Sequence, residues 1–113
     1  MDQRTYKEGT LQKLSVSAML FKNWRTRRIV LLGERIEWHA TSSSPTSKSG
    51  DVLKGFLHFG PDTLAYAHAG DSVVVQSDDK KLVIRMADGT ERGEWLTAIN
   101  ERIKARRGGD EPS

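Results

Sequence analysis

The chain divides into two regions of different hydrophobic period, and this division most constrains its fold. The first region contains seven short segments with β character, separated by turns rich in Gly, Pro, Ser and Asp. We predict strands at 9–16, 24–32, 35–40, 55–59, 64–68, 72–76 and 81–86. The second region, near the C-terminus, follows a helical period instead. Seven short strands followed by one helix are typical of a small barrel or sandwich.

The predicted helix carries its apolar residues on one stripe. This stripe consists of Trp95, Leu96, Ile99 and Ile103. Asp88 with Glu91 forms a helix start signal, and Thr90 is a competing cap. Gly108 and Gly109 mark the end of the helix. Because the stripe needs a surface to bury it, we expect the helix to cover one open end of a bent sheet.

Length and composition favour one domain with a modest core. The chain has 113 residues, of which 36% are hydrophobic and 29% are charged. We place an N-terminal tail at 1–6, the folded domain at 7–107, and a C-terminal tail or linker at 108–113. There is no apolar leader, no cysteine, and no apolar run near the ~20 residues that a membrane span needs. These features favour a cytoplasmic location.

Positive charge is concentrated near the N-terminus. The net charge is +3, but residues 1–28 contain seven Lys and Arg against two acidic residues, so the remaining residues sum to −2. One end of the domain is therefore a positive pole, which indicates an anionic partner. The alternative is a solvated basic surface.

Two predicted strands change from apolar to basic as they approach the loop between them. Residues of equal parity share one face of a strand. In the first strand this face carries Leu11 and, nearer the loop, Lys13. In the second strand it carries Arg25 and Arg27 nearest the loop, followed by Ile29. If the strands form a hairpin, Lys13, Arg25 and Arg27 meet in what we term the cationic mouth. These cations repel one another, so the arrangement favours a bridging anion, and Lys and Arg suit phosphate oxygens well.

The loop between these two strands carries an apolar tip. Met19, Leu20 and Phe21 come directly before Lys22. We expect this tip to dip into a membrane interface, where each fully buried apolar side chain adds roughly 1.5–3 kcal/mol. The alternative for Phe21 is packing back onto the barrel.

Three stretches of the sequence carry a family pattern. They are KEGTLQK at 7–13, WRTRRIVLL at 24–32 and ERGEWLTAI at 91–99. They resemble the first strand, the second strand and the closing helix of the pleckstrin homology (PH) domain. This resemblance implies a mainly β fold, in which a seven-stranded bent antiparallel barrel or sandwich is capped by one C-terminal α-helix. It also implies that Trp95 is a core residue.

The resemblance extends to a binding motif of the phosphoinositide-binding type of PH domain. Those members have a lysine late in the first strand and a basic-x-Arg-x-hydrophobic-hydrophobic pattern in the second. Lys13 matches the lysine of the first strand, and Arg25 and Arg27 match the two basic positions of the pattern in the second strand. By this resemblance, these three side chains hold the inositol phosphates.

Three further residues complete the candidate site. Lys54 precedes Gly55, where the family often has a basic residue before a glycine of the fourth strand. Trp38 stands where the family often has a tyrosine, and it offers an N–H donor but no hydroxyl. Lys22 lies in the first loop, within reach of a headgroup or of the lipids beside it.

No pattern in the sequence predicts a metal site or a catalytic site. His39, His58 and His68 lack the spacing of metal ligands, and no nucleophile lies in a recognisable arrangement with a base. We therefore expect no enzyme activity, no cofactor and no metal.

The sequence thus favours a phosphoinositide-binding module that is recruited to the cytoplasmic face of membranes. A protein-interaction module with the same fold is the alternative, in which the cationic mouth is incidental and a protein is the partner. Nucleic-acid binding is a second alternative, because Phe21 and Trp24 lie among basic residues and aromatic rings stack bases. The closing helix with Trp95 disfavours the small barrel that performs that task, so we expect no nucleic acid.

Overall fold

Seven strands and one helix follow one another along the chain in the computed structural model, which describes residues 4–16, 22–41, 52–78 and 80–108. The strands are β1 (Thr5–Val16), β2 (Lys22–Leu32), β3 (Arg35–Ala40), β4 (Leu53–His58), β5 (Leu64–His68), β6 (Ser72–Ser77) and β7 (Lys80–Arg85). The helix α1 spans Gly89–Gly108. The predicted mainly β architecture with one C-terminal helix is confirmed.

The first strand begins earlier than the sequence indicated. β1 starts at Thr5, which pairs with Leu32, so it takes two residues of the predicted tail into the sheet. Tyr6 explains this extension, because its side chain is partly buried against the core. The guanidinium of Arg102 on α1 also lies 4.0 Å from the centroid of the Tyr6 ring.

All seven strands form one antiparallel sheet in the order β4-β3-β2-β1-β7-β6-β5. β1 pairs with β2 along its whole length. Near its C-terminal end, Gln12 and Lys13 also pair with Arg85 and Ile84 of β7. The sheet therefore has two halves, β1–β4 and β5–β7, which are joined by the pairing of β1 with β7 at Gln12 and Lys13.

One hydrophobic core is shared by both halves of the sheet and the helix. It combines Ile29, Leu31 and Ile36 of β2 and β3 with inward-facing residues of β6 and β7. The helix adds Trp95, Ile99 and Ile103, all buried, as the predicted stripe required. Since side chains from distant strands meet in one cluster, the sheet bends around them and the helix closes one end.

The first turn of α1 resolves the choice between two predicted caps. The backbone N–H of Glu91 donates a hydrogen bond of 2.9 Å to the Oδ1 of Asp88. Asp88 is therefore the cap, and Thr90 lies within the helix.

Candidate functional site

The inner face of the β1–β2 hairpin changes from apolar to cationic along its length. Leu11 lies opposite Arg27 in the ladder, and Lys13 lies opposite Arg25. Partners in a ladder share one face of the sheet, so all three members of the cationic mouth lie on the face that carries Leu11 deeper in the strand. The predicted placement of Lys13, Arg25 and Arg27 on one face of a hairpin is confirmed.

Lys13 is the most enclosed member of the cationic mouth. Its side chain is half-buried, and its Nζ lies 5.1 Å from the centroid of the Trp38 ring. The ammonium also donates a hydrogen bond of 3.1 Å to the carbonyl oxygen of Leu14. Burial, and then the charge of Arg27, lower the pKa of Lys13 below its ordinary range. The protein therefore holds this positive charge where it is disfavoured.

The two arginines are more accessible than Lys13. Arg25 is exposed, whereas Arg27 is partly exposed and donates a hydrogen bond of 3.0 Å from Nη1 to the carbonyl oxygen of Thr26. Within the part of the chain that the structure describes, no carboxylate forms an ion pair with Lys13, Arg25 or Arg27. The mouth thus combines three cations on one face, and none of the carboxylates that the structure describes pairs with them.

Arg28 provides a contrast one residue further along β2. It lies on the outer face, where its Nε is 3.0 Å from the Oε2 of Glu8 on β1. Its even position, next to Arg27 in the same strand, accounts for this outward direction. Alternation along β2 therefore places Arg28, which pairs with Glu8, on the opposite face from Arg25 and Arg27.

Trp38 forms a wall of the cationic mouth across β2. A Cβ atom built on Gly55 would lie 2.5 Å from the Cζ2 atom of Trp38, so only glycine allows the indole to lie there. Gly55 pairs with Trp38 in the β3–β4 ladder. The ring therefore rests on β4 and presents a face to Lys13, which is a cation–π contact rather than the hydroxyl contact of a tyrosine.

Lys54 is exposed at the edge of this arrangement. The β3–β4 ladder is irregular here, because Gly55 pairs with Trp38 while Leu53 pairs with His39. Among the described residues, no contact joins Lys54 to the three cations of the mouth. Its role in ligand binding therefore remains a prediction.

The loop candidates fall outside what the structure describes. Met19, Leu20 and Phe21 are outside the described residues, and Lys22 is described only as the first residue of β2, without its side chain. The predicted membrane insertion of the tip stays a prediction.

Neither a metal site nor a membrane-spanning helix occurs among the residues that the structure describes. They contain no group of three or more His, Cys, Asp or Glu placed to hold a metal ion. The Nε2 of His39 instead lies 3.0 Å from the Oε1 of Glu37. The Oε2 of the same carboxylate pairs with the Nη2 of Arg35 at 2.6 Å. No helix in these ranges is long and apolar enough to cross a bilayer.

A groove on the outer face of the sheet was not anticipated from the sequence. Trp24 of β2 lies opposite Leu14 of β1. Both residues also line a groove of about 560 Å³ together with residues of β5, β6 and β7. The even parity of Leu14 and Trp24 was the available signal, but the other walls come from distant segments.

Comparison with solved structures decides the fold, whereas no family model and no curated protein sequence matches the chain. A solution structure of a PH domain aligns with 100% of this chain and 97% of its own, at a TM-score of 0.71 and 21% identity. This chain has the PH fold. The C-terminal PH domain of pleckstrin also aligns with this PH fold at a TM-score of 0.71 and 18% identity, over 88% of this chain and 98% of its own. The same pleckstrin domain in complex with D-myo-Ins(1,2,3,4,5)P5 aligns at a TM-score of 0.68 and 18% identity, with the same coverage.

Within the PH fold, the cationic mouth and the helix cap lie toward opposite ends of the β1–β2 hairpin. Lys7, near the start of β1, has its Nζ 5.2 Å from the centroid of the Trp95 ring. Lys13 lies on the same face near the end of β1, beside the loop that connects to β2. The helix therefore leaves the cationic mouth uncovered.

Proposed function

We propose that this PH-fold chain binds phosphoinositide headgroups through the cationic mouth, and that this binding recruits the protein to the cytoplasmic face of membranes. The observation that carries the proposal is the meeting of Lys13, Arg25 and Arg27 on one inner face with no carboxylate partner among the described residues. A ligand with several phosphate groups supplies the missing negative charge.

Electrostatics provide both the attraction and the docking. An anionic leaflet attracts nearby Lys and Arg by about 1 kcal/mol each, an effect that salt screens. Phosphate groups then accept charge-assisted hydrogen bonds from the guanidinium groups of Arg25 and Arg27 and from the ammonium of Lys13. Lys54 and Lys22 extend the positive surface, and the Met19–Phe21 tip enters the interface.

The state of Lys13 supports the proposal that the cationic mouth binds an anion. Both causes that lower its pKa, burial and the charge of Arg27, act against the protonated amine. A bound phosphate offsets both of them, so binding relieves an unfavourable interaction that the free domain contains. The Trp38 ring keeps the ammonium in place in the absence of that anion.

A solved structure of similar fold supports the ligand class. The C-terminal PH domain of pleckstrin has been solved in complex with D-myo-Ins(1,2,3,4,5)P5. That complex shows that the fold accommodates an inositol polyphosphate. The residue-level assignment for this chain rests on its own cationic mouth.

A titration followed by NMR tests the proposal. Soluble inositol polyphosphates are added to the ¹⁵N-labelled domain, and vesicles with and without phosphoinositides are tested for sedimentation of the protein. We expect amide shifts grouped around Lys13, Arg25 and Arg27, and vesicle binding that requires the phosphoinositide. If the amides show no shift at millimolar ligand, the proposal is wrong and the protein-interaction alternative takes its place.

Affinity for the headgroup should fall with rising pH in the alkaline range, because Lys13 loses its proton there. Its pKa is lowered in the free domain, and a bound phosphate raises it, so the complex holds the proton more tightly. Affinity therefore falls as pH rises through the free-state pKa, whereas at lower pH this residue contributes no pH dependence. Calorimetry at a series of increasing pH values, continued above the ordinary pKa of lysine, measures this decline.

The matched control for this pH dependence is Lys13→Arg. A guanidinium stays protonated throughout the range, so the variant should lack the decline that Lys13 causes. The difference between the two profiles isolates Lys13 from any titration of the ligand. Parallel profiles would show that Lys13 does not contact the phosphates.

A further inference from the structure

The outer face of the sheet carries a groove that is separate from the cationic mouth. Leu14 and Trp24 form one wall, and they follow Lys13 and precede Arg25 directly in their strands. Because side chains alternate across a strand, the two pairs lie on opposite faces of the same hairpin. The groove is completed by Tyr66, His68, Ala69, Ser72, Val74, Lys81 and Val83. We term this surface the outer groove.

The floor of the outer groove is apolar. Val74 lies opposite both Tyr66 and Val83 in adjacent ladders, which places three side chains side by side across β5, β6 and β7. Tyr66 is 40% exposed, although large apolar side chains usually lie inside a domain. The volume of about 560 Å³ is large enough for several apolar side chains of a ligand.

The rim of the outer groove is basic. Lys81 is exposed beside the valine floor, and His68 lies at the far end of β5. The guanidinium of Arg85 lies 4.2 Å from the centroid of the Trp24 ring, at the opposite wall. The described lining residues include no Asp or Glu. A ligand that combines apolar side chains with carboxylates therefore complements both the floor and the rim.

We propose that the outer groove binds an acidic amphipathic segment of a partner protein, in which Asp or Glu residues alternate with large apolar residues. The apolar side chains fill the floor over Val74 and Val83, and the carboxylates meet Lys81 and Arg85. Two separated cations suit dispersed carboxylates, whereas a polyphosphate needs the denser charge of the cationic mouth. The proposal is independent of phosphoinositide binding, because the two surfaces lie on opposite faces.

Selection from an unbiased library tests the chemistry of the occupant. Random 12-residue peptides displayed on phage are selected against the immobilised domain, and the enriched peptides are synthesised and titrated into the ¹⁵N-labelled protein. We expect enrichment in Asp and Glu together with Leu, Phe or Trp, and amide shifts grouped at β5–β7 and Trp24. A failure to enrich any peptide overturns the proposal, as does enrichment in peptides without acidic residues.

Paired variants test whether the enriched peptide binds in the outer groove. Tyr66→Ser should weaken an enriched peptide about tenfold, as loss of an interface aromatic does, and Lys81→Glu should weaken it by at least about fivefold. Lys80→Glu makes the same charge change one residue away, outside the lining, and Arg25→Glu changes the cationic mouth. Both controls should leave the affinity within about twofold.

Three results would overturn the proposal, by placing the peptide at the cationic mouth or by assigning the outer groove to a different occupant. The first is peptide affinity that is lost in Arg25→Glu and retained in Lys81→Glu. The second is a shift of the groove amides by phosphoinositide vesicles in Arg25→Glu, which would identify a lipid. The third is a rise in peptide affinity when 17–21 is replaced by a Gly-Ser linker, accompanied by shifts of the groove amides without ligand. This result would identify the chain's own loop.

Discussion

Replacing Arg27 with alanine is expected to weaken binding of a soluble inositol polyphosphate by roughly tenfold to a hundredfold. Hydrogen bonds to charged groups contribute about 1.5–3 kcal/mol, and Arg27 supplies a fork of donors that matches phosphate oxygens. Burial is the main cause of the lowered pKa of Lys13 and the charge of Arg27 is the second, so the variant removes only part of the unfavourable interaction that the ligand relieves. Calorimetry at about 0.15 M salt measures the change directly, under conditions where long-range attraction is screened.

Arg28→Ala is the matched control for this effect. It removes the same side chain one position away, from the outer face where Arg28 pairs with Glu8. We expect its affinity to stay within about threefold of the original protein, since an exposed ion pair contributes little and no phosphate is near. Both variants should give the dispersed NMR spectrum of a folded domain. Equal losses of affinity in the two variants would show that net charge, rather than the cationic mouth, drives binding.

Replacing Trp95 with alanine is expected to lower the free energy of unfolding by about 3–5 kcal/mol. The side chain is only 2% exposed and joins the helix to the sheet. A Cβ atom on Gly9 would lie 3.4 Å from its Cζ2 atom, so the ring packs directly against the backbone of β1. Since a domain is stabilised by about 5–15 kcal/mol in total, this loss brings the protein close to unfolding. Urea denaturation followed by circular dichroism measures it.

Two further variants separate packing from helix propensity. Trp95→Phe keeps an aromatic ring and should cost less than the alanine variant. Thr97→Ala changes an exposed residue of the same helix and should change the free energy of unfolding by less than about 0.5 kcal/mol. A loss below about 1 kcal/mol in Trp95→Ala would contradict the role of the helix as the cap of the barrel.

Local patterns were sufficient to predict the strands and the helix. Parity alone placed Lys13, Arg25 and Arg27 on one face, and the ladder register confirms this. The prediction succeeded because alternation is a property of the extended backbone that holds whatever the strand packs against. Similarly, the spacing of Trp95, Ile99 and Ile103 follows the helical turn, and all three are buried.

Contacts between distant segments of the chain could not be predicted from the sequence. Trp38 reaches Lys13 across β2 only because Gly55 of β4 leaves space for its ring. That arrangement depends on the ladders that join β1 to β4 and on an irregularity within the β3–β4 ladder, which no single segment encodes. The early start of β1 at Thr5 likewise depends on the contact of Tyr6 with the helix, and the sequence placed those residues in a tail.

The sequence by itself determined the period of each segment, the parity of the three cations, and the helix with its apolar stripe, because these depend on backbone geometry within a few residues. Only the tertiary structure decided that Lys13 is half-buried against Trp38, and that Leu14 and Trp24 join β5–β7 in the outer groove. Burial and pKa depend on every segment that packs around a side chain. The burial and the pKa of Lys13 are therefore set only when the sheet bends and brings the other strands around it, and the isolated β1–β2 hairpin would not have the same values.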